Sequence, residues 1–545
     1  MPRPDSATPL TPRLLAIAES RARVLASLLL LLFLLLGAVS VYHDTPTIDE
    51  PMHFGMGART VDGSLEHTAM TSTTINALNA VPKVVIDILG VTLSAPTTLW
   101  LARMPTLLLV TALGWYVFVW SSELYGARGG LLSLFLFVFC PTSMAHGRLI
   151  TTDMPCAVFC FAAAFYFVRY MKQPSWATLL VAAAAMGVAQ ISKYTALWLL
   201  PVLLGAFIAR RYAQRRARDE NEQLPLSTVV LHGAVYLMVT LVILNVGYLF
   251  VGTFETLATH KQWLTSIYGY VDPANGPPSF TRSVHLALSN LPLPLPGPYL
   301  EGVLLGQFHN STGAGHGPVY LLGERSQLGF PAYFPIAFLL KTPLPTLLLL
   351  ALALVICVRS KRLRLDSDEL VLLGASLSLL AYFSLLCTVQ VGVRYLVPAL
   401  PFLYVLAGQL VAWAPSGERA ARFWRACLVA LCVWLPVSVL SYYPHYISYF
   451  NELRWNRLEL YQALADSNLD WGQDGYYLKR YLQEHRGEAI TVKPKVPTAG
   501  KVIVNVNELV GVVVEPAKYQ WLRDGYAPKE RVAYSWLVYD IPPLH

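Results

Sequence analysis

Charge is what this sequence has least of. Of its 545 residues only 14% are Asp, Glu, Lys or Arg, whereas an ordinary soluble domain carries about 25%. Hydrophobic residues make up 55%, and the mean hydropathy is +0.47. So few charges cannot cover the surface of a soluble multidomain enzyme, and disorder requires low hydrophobicity. Both classes are excluded. Cysteine is missing where it would be informative. All seven (Cys140, Cys156, Cys160, Cys357, Cys387, Cys427 and Cys432) lie in or beside apolar stretches, so there is neither a disulfide framework nor a clustered thiolate metal site. Cys156 and Cys160 share a helical face, but their context, MPCAVFCFAAAF, reads as packed membrane core. There is no internal repeat of fixed period, no low-complexity linker and no inverted half-to-half symmetry of the kind many transporters show. What is left is a polytopic membrane protein.

A membrane-crossing helix needs about 20 mainly apolar residues. Eleven stretches are read as spans: 24–42, 106–121, 130–144, 154–171, 177–191, 195–209, 228–251, 331–358, 370–391, 395–413 and 426–442. The first resembles a signal peptide, because Ala38-Val39-Ser40 looks like a cleavage site, but its apolar run is long for one and it reads as a retained anchor. The net charge of +8 would suit a nucleic-acid binder, yet it has a plainer source. Arg3, Arg13, Arg21 and Arg23 precede the first span, five arginines fall in 210–218, four basic residues in 359–364 and three in 416–425. With eleven spans all four groups share one side, which the positive-inside rule makes cytoplasmic. The opposite, external side receives 44–105, 141–153, 192–194, 252–330, 392–394 and the tail. The expected units are a transmembrane domain, 1–446, and a small external α/β domain, 447–545. In the latter, 458–485 reads as helix and the valine-rich alternation of 501–514 as strand.

Ionisable residues at a membrane edge are costly and are functional candidates by default. In the first external loop, Asp49 and Glu50 stand together between prolines, with His53 following. Neighbouring side chains diverge, so only one of the two carboxylates can face a given site; a solvated turn is the bland alternative. In HGRLITTD, helix capping would account for Asp153 but not for His146 or Arg148. Lys193-Tyr194 and Arg394-Tyr395 put single cations at span edges, where snorkelling is the alternative. Lys341 lies about ten residues inside its apolar stretch and needs a buried anionic partner, for which a lipid phosphate is the obvious choice. The segment 466–474, DSNLDWGQD, begins like a calcium loop. However, Gly472 falls at the seventh place instead of the sixth and Tyr477 stands where the bidentate Glu belongs. It reads as a turn, and no metal is expected.

Taken in order, Asp49-Glu50-Pro51, HGRLITTD, SKYTALWLLP, GPVYLLGERSQLGFPAYFPIAFLLKTPLP, GVRYLVPALP and YYPHYISYFNEL…DSNLDWGQD resemble the bacterial GT-C glycosyltransferases. The likeness is to the family 39-like enzymes of the protein O-mannosyltransferase and aminoarabinose-transferase type. It runs from Asp49 to Asp474. It implies an all-α fold of about a dozen transmembrane helices in the bacterial inner membrane, external catalytic loops, a polyprenyl-phosphate sugar donor and no required cofactor. By the same resemblance Asp49 is the catalytic base with Glu50 beside it, and Asp153 is the second acidic motif. The resemblance further implies that Lys193, Lys341 and Arg394 hold the donor phosphate; from the residues themselves Arg148 is expected to join them, and His53, His146, Tyr194 and Tyr395 are expected substrate contacts. The tail departs from the large tails of some members, which leaves the acceptor open among protein, lipid and glycan. A monophosphate is a leaving group that Arg and Lys can stabilise, and one base with backside attack inverts the anomeric centre. A lipid-linked-glycan transporter or flippase, and a glycan polymerase or ligase with a lipid-diphosphate donor, are the competing classes.

Overall fold

The computed structural model describes residues 12–64, 73–216, 224–256, 259, 291–313, 315 and 317–543. Arg3, Arg218 and the 260–290 part of the expected external stretch 252–330 lie outside them. Helices dominate because an apolar segment in lipid must satisfy its backbone N–H and C=O groups internally. In chain order the first nine are α1 (Pro12–Ser40), α2 (Glu50–Val61), α3 (Thr73–Leu89), α4 (Ala95–Val138), α5 (Pro141–His146), α6 (Asp153–Lys172), α7 (Trp176–Ser192), α8 (Leu199–Arg216) and α9 (Leu226–Gly247). Among the described residues, eight helices are long and apolar enough to cross a membrane, or nine if one sharply bent pair counts as a span.

All eleven expected spans fall on helix, and two features explain why the count differs. Trp176–Ser192 is apolar but only 17 residues long. The 44-residue α4 contains a non-helical residue, Gly126 (φ 80°, ψ 168°), at which the chain doubles back. Ser133 Oγ donates to Ser121 Oγ at 2.8 Å, and a Cβ on Gly130 would overlap Ser122 Oγ at 1.9 Å. These contacts pair the two halves of α4 as an antiparallel hairpin, so the stretches 106–121 and 130–144 are separate passes. Two helices that the sequence left as loop, α2 and α3, pack on each other so closely that a Cβ on Gly57 would meet the Asn76 carbonyl at 2.2 Å.

The bundle has two distinct ends. At one end Lys172 Nζ pairs with Asp368 at 2.7 Å, Arg210 donates to the Asp366 carbonyl at 2.9 Å and Arg362 reaches Glu369 at 3.4 Å. This basic end gathers 169–172, 210–216 and 359–369. The other end carries the loop after α1, the loop before α6 and the tail.

The bent pair, Tyr333–Lys341 and Leu344–Arg359, turns by 113° where Pro343 cannot donate a backbone hydrogen bond. Asn451 closes the break. Its backbone N–H donates to the Leu340 carbonyl at 2.9 Å, and its Nδ2 donates to Leu339 and Thr342 carbonyls at 2.6 and 2.7 Å. The expected boundary at 446/447 is therefore not a boundary of packing, because residues 447–474 are bonded into the helical unit.

The rest of the tail carries a four-stranded sheet, β3 (Ile490–Val492), β4 (Gly500–Asn505), β5 (Glu530–Val532) and β6 (Trp536–Ile541), after a hairpin β1 (Val319–Leu321) and β2 (Glu324–Ser326) earlier in the chain. Its order is β3-β4-β6-β5, with only β3 and β4 parallel. Alternation sends Val502 and Val504 into the main core, while Ile503 packs with Val538 under Tyr477 and Tyr481 of the helix Gly475–Glu484. Two expectations are corrected here. The strand of 501–514 stops at Asn505, whose side chain accepts the Asn507 N–H at 3.0 Å and starts a helical turn. The helix of 458–485 is confined to Gly475–Glu484, with 3-10 turns before it, because Asn468, Asp470 and Gln473 bond to backbone and compete with helix.

Asn451→Ala leaves the carbonyls of the bent pair without donors and is expected to cost about 1–3 kcal/mol. The thermal midpoint in detergent should fall for Asn451→Ala, and Asn451→Asp should fall with it because it lacks the Nδ2 donors.

Candidate active site

Asp49 stands at the N-cap of α2, directly before Glu50, and the two carboxylates part company. Glu50 turns inward. Its Oε1 and Oε2 accept Arg103 Nε and Nη2 at 2.8 and 2.6 Å, and the backbone N–H groups of Thr47 and Ile150 at 2.8 and 3.0 Å. Arg103 spends its remaining donors on the carbonyls of Val41, Asp44 and Thr45. Both side chains are 1% exposed. Glu50, expected beside the base, is thus a buried clamp with its acceptor positions filled.

Asp49 turns the other way, 30% exposed, and its Oδ2 accepts Arg394 Nη1 at 2.9 Å. The same Nη1 lies 3.6 Å from Asp153 Oδ2, and Asp153 Oδ1 accepts Lys193 Nζ at 2.6 Å. Asp49, Arg394, Asp153 and Lys193 form a line of alternating charge drawn from four separate elements. Asp153 opens α6, Lys193 ends α7, and Arg394 sits in a 3-10 helix, Val393–Ala399. The cations are also held by rings. Arg394 Cζ lies 4.1 Å from the Trp471 centroid, and Lys193 Nζ lies 4.9 Å from that of Tyr395. A Cβ on Gly306 would stand 3.0 Å from the Tyr194 ring, so the helix Gly297–Thr312 closes over that tyrosine.

His53 is one turn along α2, its N–H donating to the Asp49 carbonyl at 3.2 Å. Its Nδ1 is 3.2 Å from Asn76 Oδ1. Burial holds its pKa below the usual imidazole value, against the pull of Asp49 and Asp153, which makes it an electrostatic neighbour of the charge line. His146 is buried 5.8 Å, ring to ring, from Trp471, and among the described residues its Nδ1 has no hydrogen-bond partner. Burial lowers its pKa to about 3, Asp153 opposing and Arg394, Lys341 and Arg148 assisting.

Two expected phosphate ligands are elsewhere. Arg148 is buried in a pair with Asp44 at 3.0 Å, with Ser40 Oγ at 2.9 Å and the Pro444 carbonyl at 3.2 Å as further partners. Lys341 donates to the Ile447 carbonyl at 2.8 Å and to that of Asn468, above the Phe450 ring at 4.6 Å. Its buried partners are backbone carbonyls of the tail, so it needs no lipid phosphate for satisfaction. Sequence reading missed Arg103 and Trp471. Arg103 interrupts LWLARMPTLLL as a lone cation at a span edge, the same signal that singled out Lys193. Trp471 carries no chemical signal of its own. Among the described residues, no group of three His, Cys, Asp or Glu side chains is placed to hold a metal ion.

Residues 88–243 match the family model described as dolichyl-phosphate-mannose-protein mannosyltransferase. The matched stretch runs from the end of α3 into α9 and carries Asp153 and Lys193, while Asp49 and Arg394 lie outside it. Among solved structures, the chain is similar to ArnT from Cupriavidus metallidurans bound to undecaprenyl phosphate, at 14% identity and TM-score 0.45, over 94% of this chain and 97% of that one. The apo form of the same protein matches over the same shares, at 14% identity and TM-score 0.42. No curated protein matches.

Glu50→Gln breaks a buried ion pair and is expected to cost about 3–5 kcal/mol of stability, read as a lower yield of folded protein and a lower thermal midpoint. His146 supplies a pH dependence. In the unfolded chain it titrates near 6.5 and in the folded chain near 3, so the unfolded state binds more protons between those values. Stability contributed by neutral His146 is then lost as pH falls through that window. His146→Gln should show a shallower acid-side fall in thermal midpoint than the wild type.

Proposed function

We propose that this chain is a membrane glycosyltransferase that moves a sugar from a polyprenyl-monophosphate donor to an acceptor hydroxyl, with inversion and with Asp49 as general base. The observation that carries the reading is the contact of Asp49 with Arg394 at the head of a charge line that ends in Lys193. The most exposed carboxylate of the line, a candidate base, sits against a cation able to hold a leaving phosphate. The family match supports the donor class, since its description names a polyprenyl monophosphate sugar and its span includes Asp153 and Lys193.

In this reading the donor phosphate takes up Arg394 and Lys193, and Arg394 loosens its hold on Asp49. The freed carboxylate accepts the proton of the acceptor hydroxyl as its oxygen attacks the anomeric carbon. The bond from that carbon to the phosphate oxygen breaks on the opposite face, and the departing phosphate is stabilised by the two cations. Asp153 keeps Lys193 placed and charged. A monophosphate carries less charge than a diphosphate, so two cations suffice and transfer should persist in EDTA. The concentration of basic residues at the far end of the bundle supports an external, periplasmic site by the positive-inside rule.

The test is transfer from radiolabelled polyprenyl-monophosphate sugars in detergent or vesicles. Asp49→Asn should reduce the rate about 10²–10⁴-fold with little change in thermal midpoint, and product NMR should show an inverted anomeric configuration. A wild type inactive on every such donor would overturn the donor assignment, and retention would remove the role given to Asp49.

A further inference from the structure

The segment 466–474 belongs by sequence to the tail, yet its bonds lead into the charge line from two sides. Toward Arg394, Ser467 Oγ donates to the Val391 carbonyl, and Asn468 Oδ1 accepts the Val393 N–H at 2.9 Å. Between them Gly392 has φ +112°, and a Cβ there would meet Ser467 Oγ at 2.3 Å, so the turn and the segment fit only with glycine in that place. Arg394 Nε returns to the Val391 carbonyl at 3.2 Å. Asn468 is itself pinned, its Nδ2 donating to Tyr333 Oη at 2.8 Å and its carbonyl accepting Lys341.

Toward Asp49, the Ile48 N–H donates to the Trp471 carbonyl at 2.9 Å and the Thr45 N–H to the Gln473 carbonyl at 2.9 Å. Thr45 Oγ1 donates to the Gly472 carbonyl at 2.7 Å and accepts the Gly475 N–H at 3.0 Å. The segment is anchored behind by Asn507, which accepts the Asp466 N–H at 2.7 Å and donates to the Asp470 carbonyl at 2.9 Å. Asp466 adopts φ +57° there, a left-handed conformation that Asp takes more readily than most non-glycine residues. Trp471 joins the two sides. Its carbonyl holds the residue before Asp49, and its ring lies under the guanidinium of Arg394.

We infer that residues 466–474 are part of the active site, and that Trp471 is a positioning residue that sets the Arg394 guanidinium against Asp49 through its aromatic face. The inference deepens the proposed transferase reading and rests on it for the kinetic arm only. A guanidinium over an indole face is attracted by the ring quadrupole, and the ring restricts where the planar fork can swing. A misplacement of about 1 Å at a reacting centre can cost about 100-fold in rate.

The experiment compares the full-length wild type with Trp471→Phe and Trp471→Leu, each also in an Arg394→Ala background. Leucine fills space without a π face, and phenylalanine keeps one. Trp471→Leu should lower kcat for sugar transfer by about 10–100-fold and Trp471→Phe should recover most of it. In the Arg394→Ala background the leucine change should add little, because its effect passes through Arg394. Equal losses for Phe and Leu, or a loss that multiplies with Arg394→Ala, would overturn the positioning role. Hydrogen exchange by mass spectrometry reads the clasp without any assay of transfer. Trp471→Leu should speed exchange in peptides covering 44–49 and 391–394 together, and unchanged exchange in both overturns the inference. A wild type that transfers nothing, with exchange raised in both peptides, would sink the transferase reading and leave the clasp standing.

Discussion

Glu50 and Arg103 meet in an environment where neither charge is tolerated alone. Both are 1% exposed, and an ion taken out of water is stable only with a well-placed partner and further hydrogen bonds. The pair supplies these by drawing in the carbonyls of Val41, Asp44 and Thr45 and the amides of Thr47 and Ile150. The end of α1, the start of α2, α4 and the loop before α6 are thereby fixed to one point. Because adjacent side chains at a helix start diverge, committing Glu50 inward commits Asp49 outward. The exposed carboxylate that meets Arg394 owes its direction to the buried one beside it.

The same economy of charge explains the rest of the site end. Arg148 is neutralised by Asp44, Lys341 is satisfied by two tail carbonyls, and Arg394 and Lys193 share two aspartates. The charge line is electrically balanced as it stands, two anions against two cations. In the proposed mechanism an incoming phosphate competes with these carboxylates for cations that are already oriented, so it meets a prepared site and releases a base in the same step. The tail serves this arrangement directly, since 466–474 bonds to both the 44–49 and the 391–394 loops.

Much of this was legible beforehand, and particular residues show why. The eleven apolar stretches fall on helix because helix is the form in which a single chain segment satisfies its own backbone in lipid. Asp49, Asp153, Lys193 and Arg394 stood out because ionisable residues at a membrane edge are costly, even though a turn, a helix cap or snorkelling could have accounted for each. The same rule pointed equally to Glu50, Arg148 and Lys341, whose partners lie inside the protein at Arg103, Asp44 and two tail carbonyls, because cost of burial flags a charge without naming its partner. Arg103 and Trp471 went unnoticed, one as an ordinary span-edge cation, the other as an ordinary aromatic. Their roles consist entirely in what they touch.

By itself the sequence determined that this is a helical membrane protein, where its apolar segments lie, which end is basic and which ionisable residues have to be accounted for. Composition and hydropathy suffice for that, since the response of each segment to lipid and water is a local property. Only the tertiary structure decided that Asp49 and not Glu50 faces the charge line, that Arg394 meets it across 345 positions of sequence, and that a tail segment bonds to the loops on both sides of that line. Pairing of charges is a property of two residues together, and no spacing along one chain encodes which pairs the fold will bring within hydrogen-bond distance.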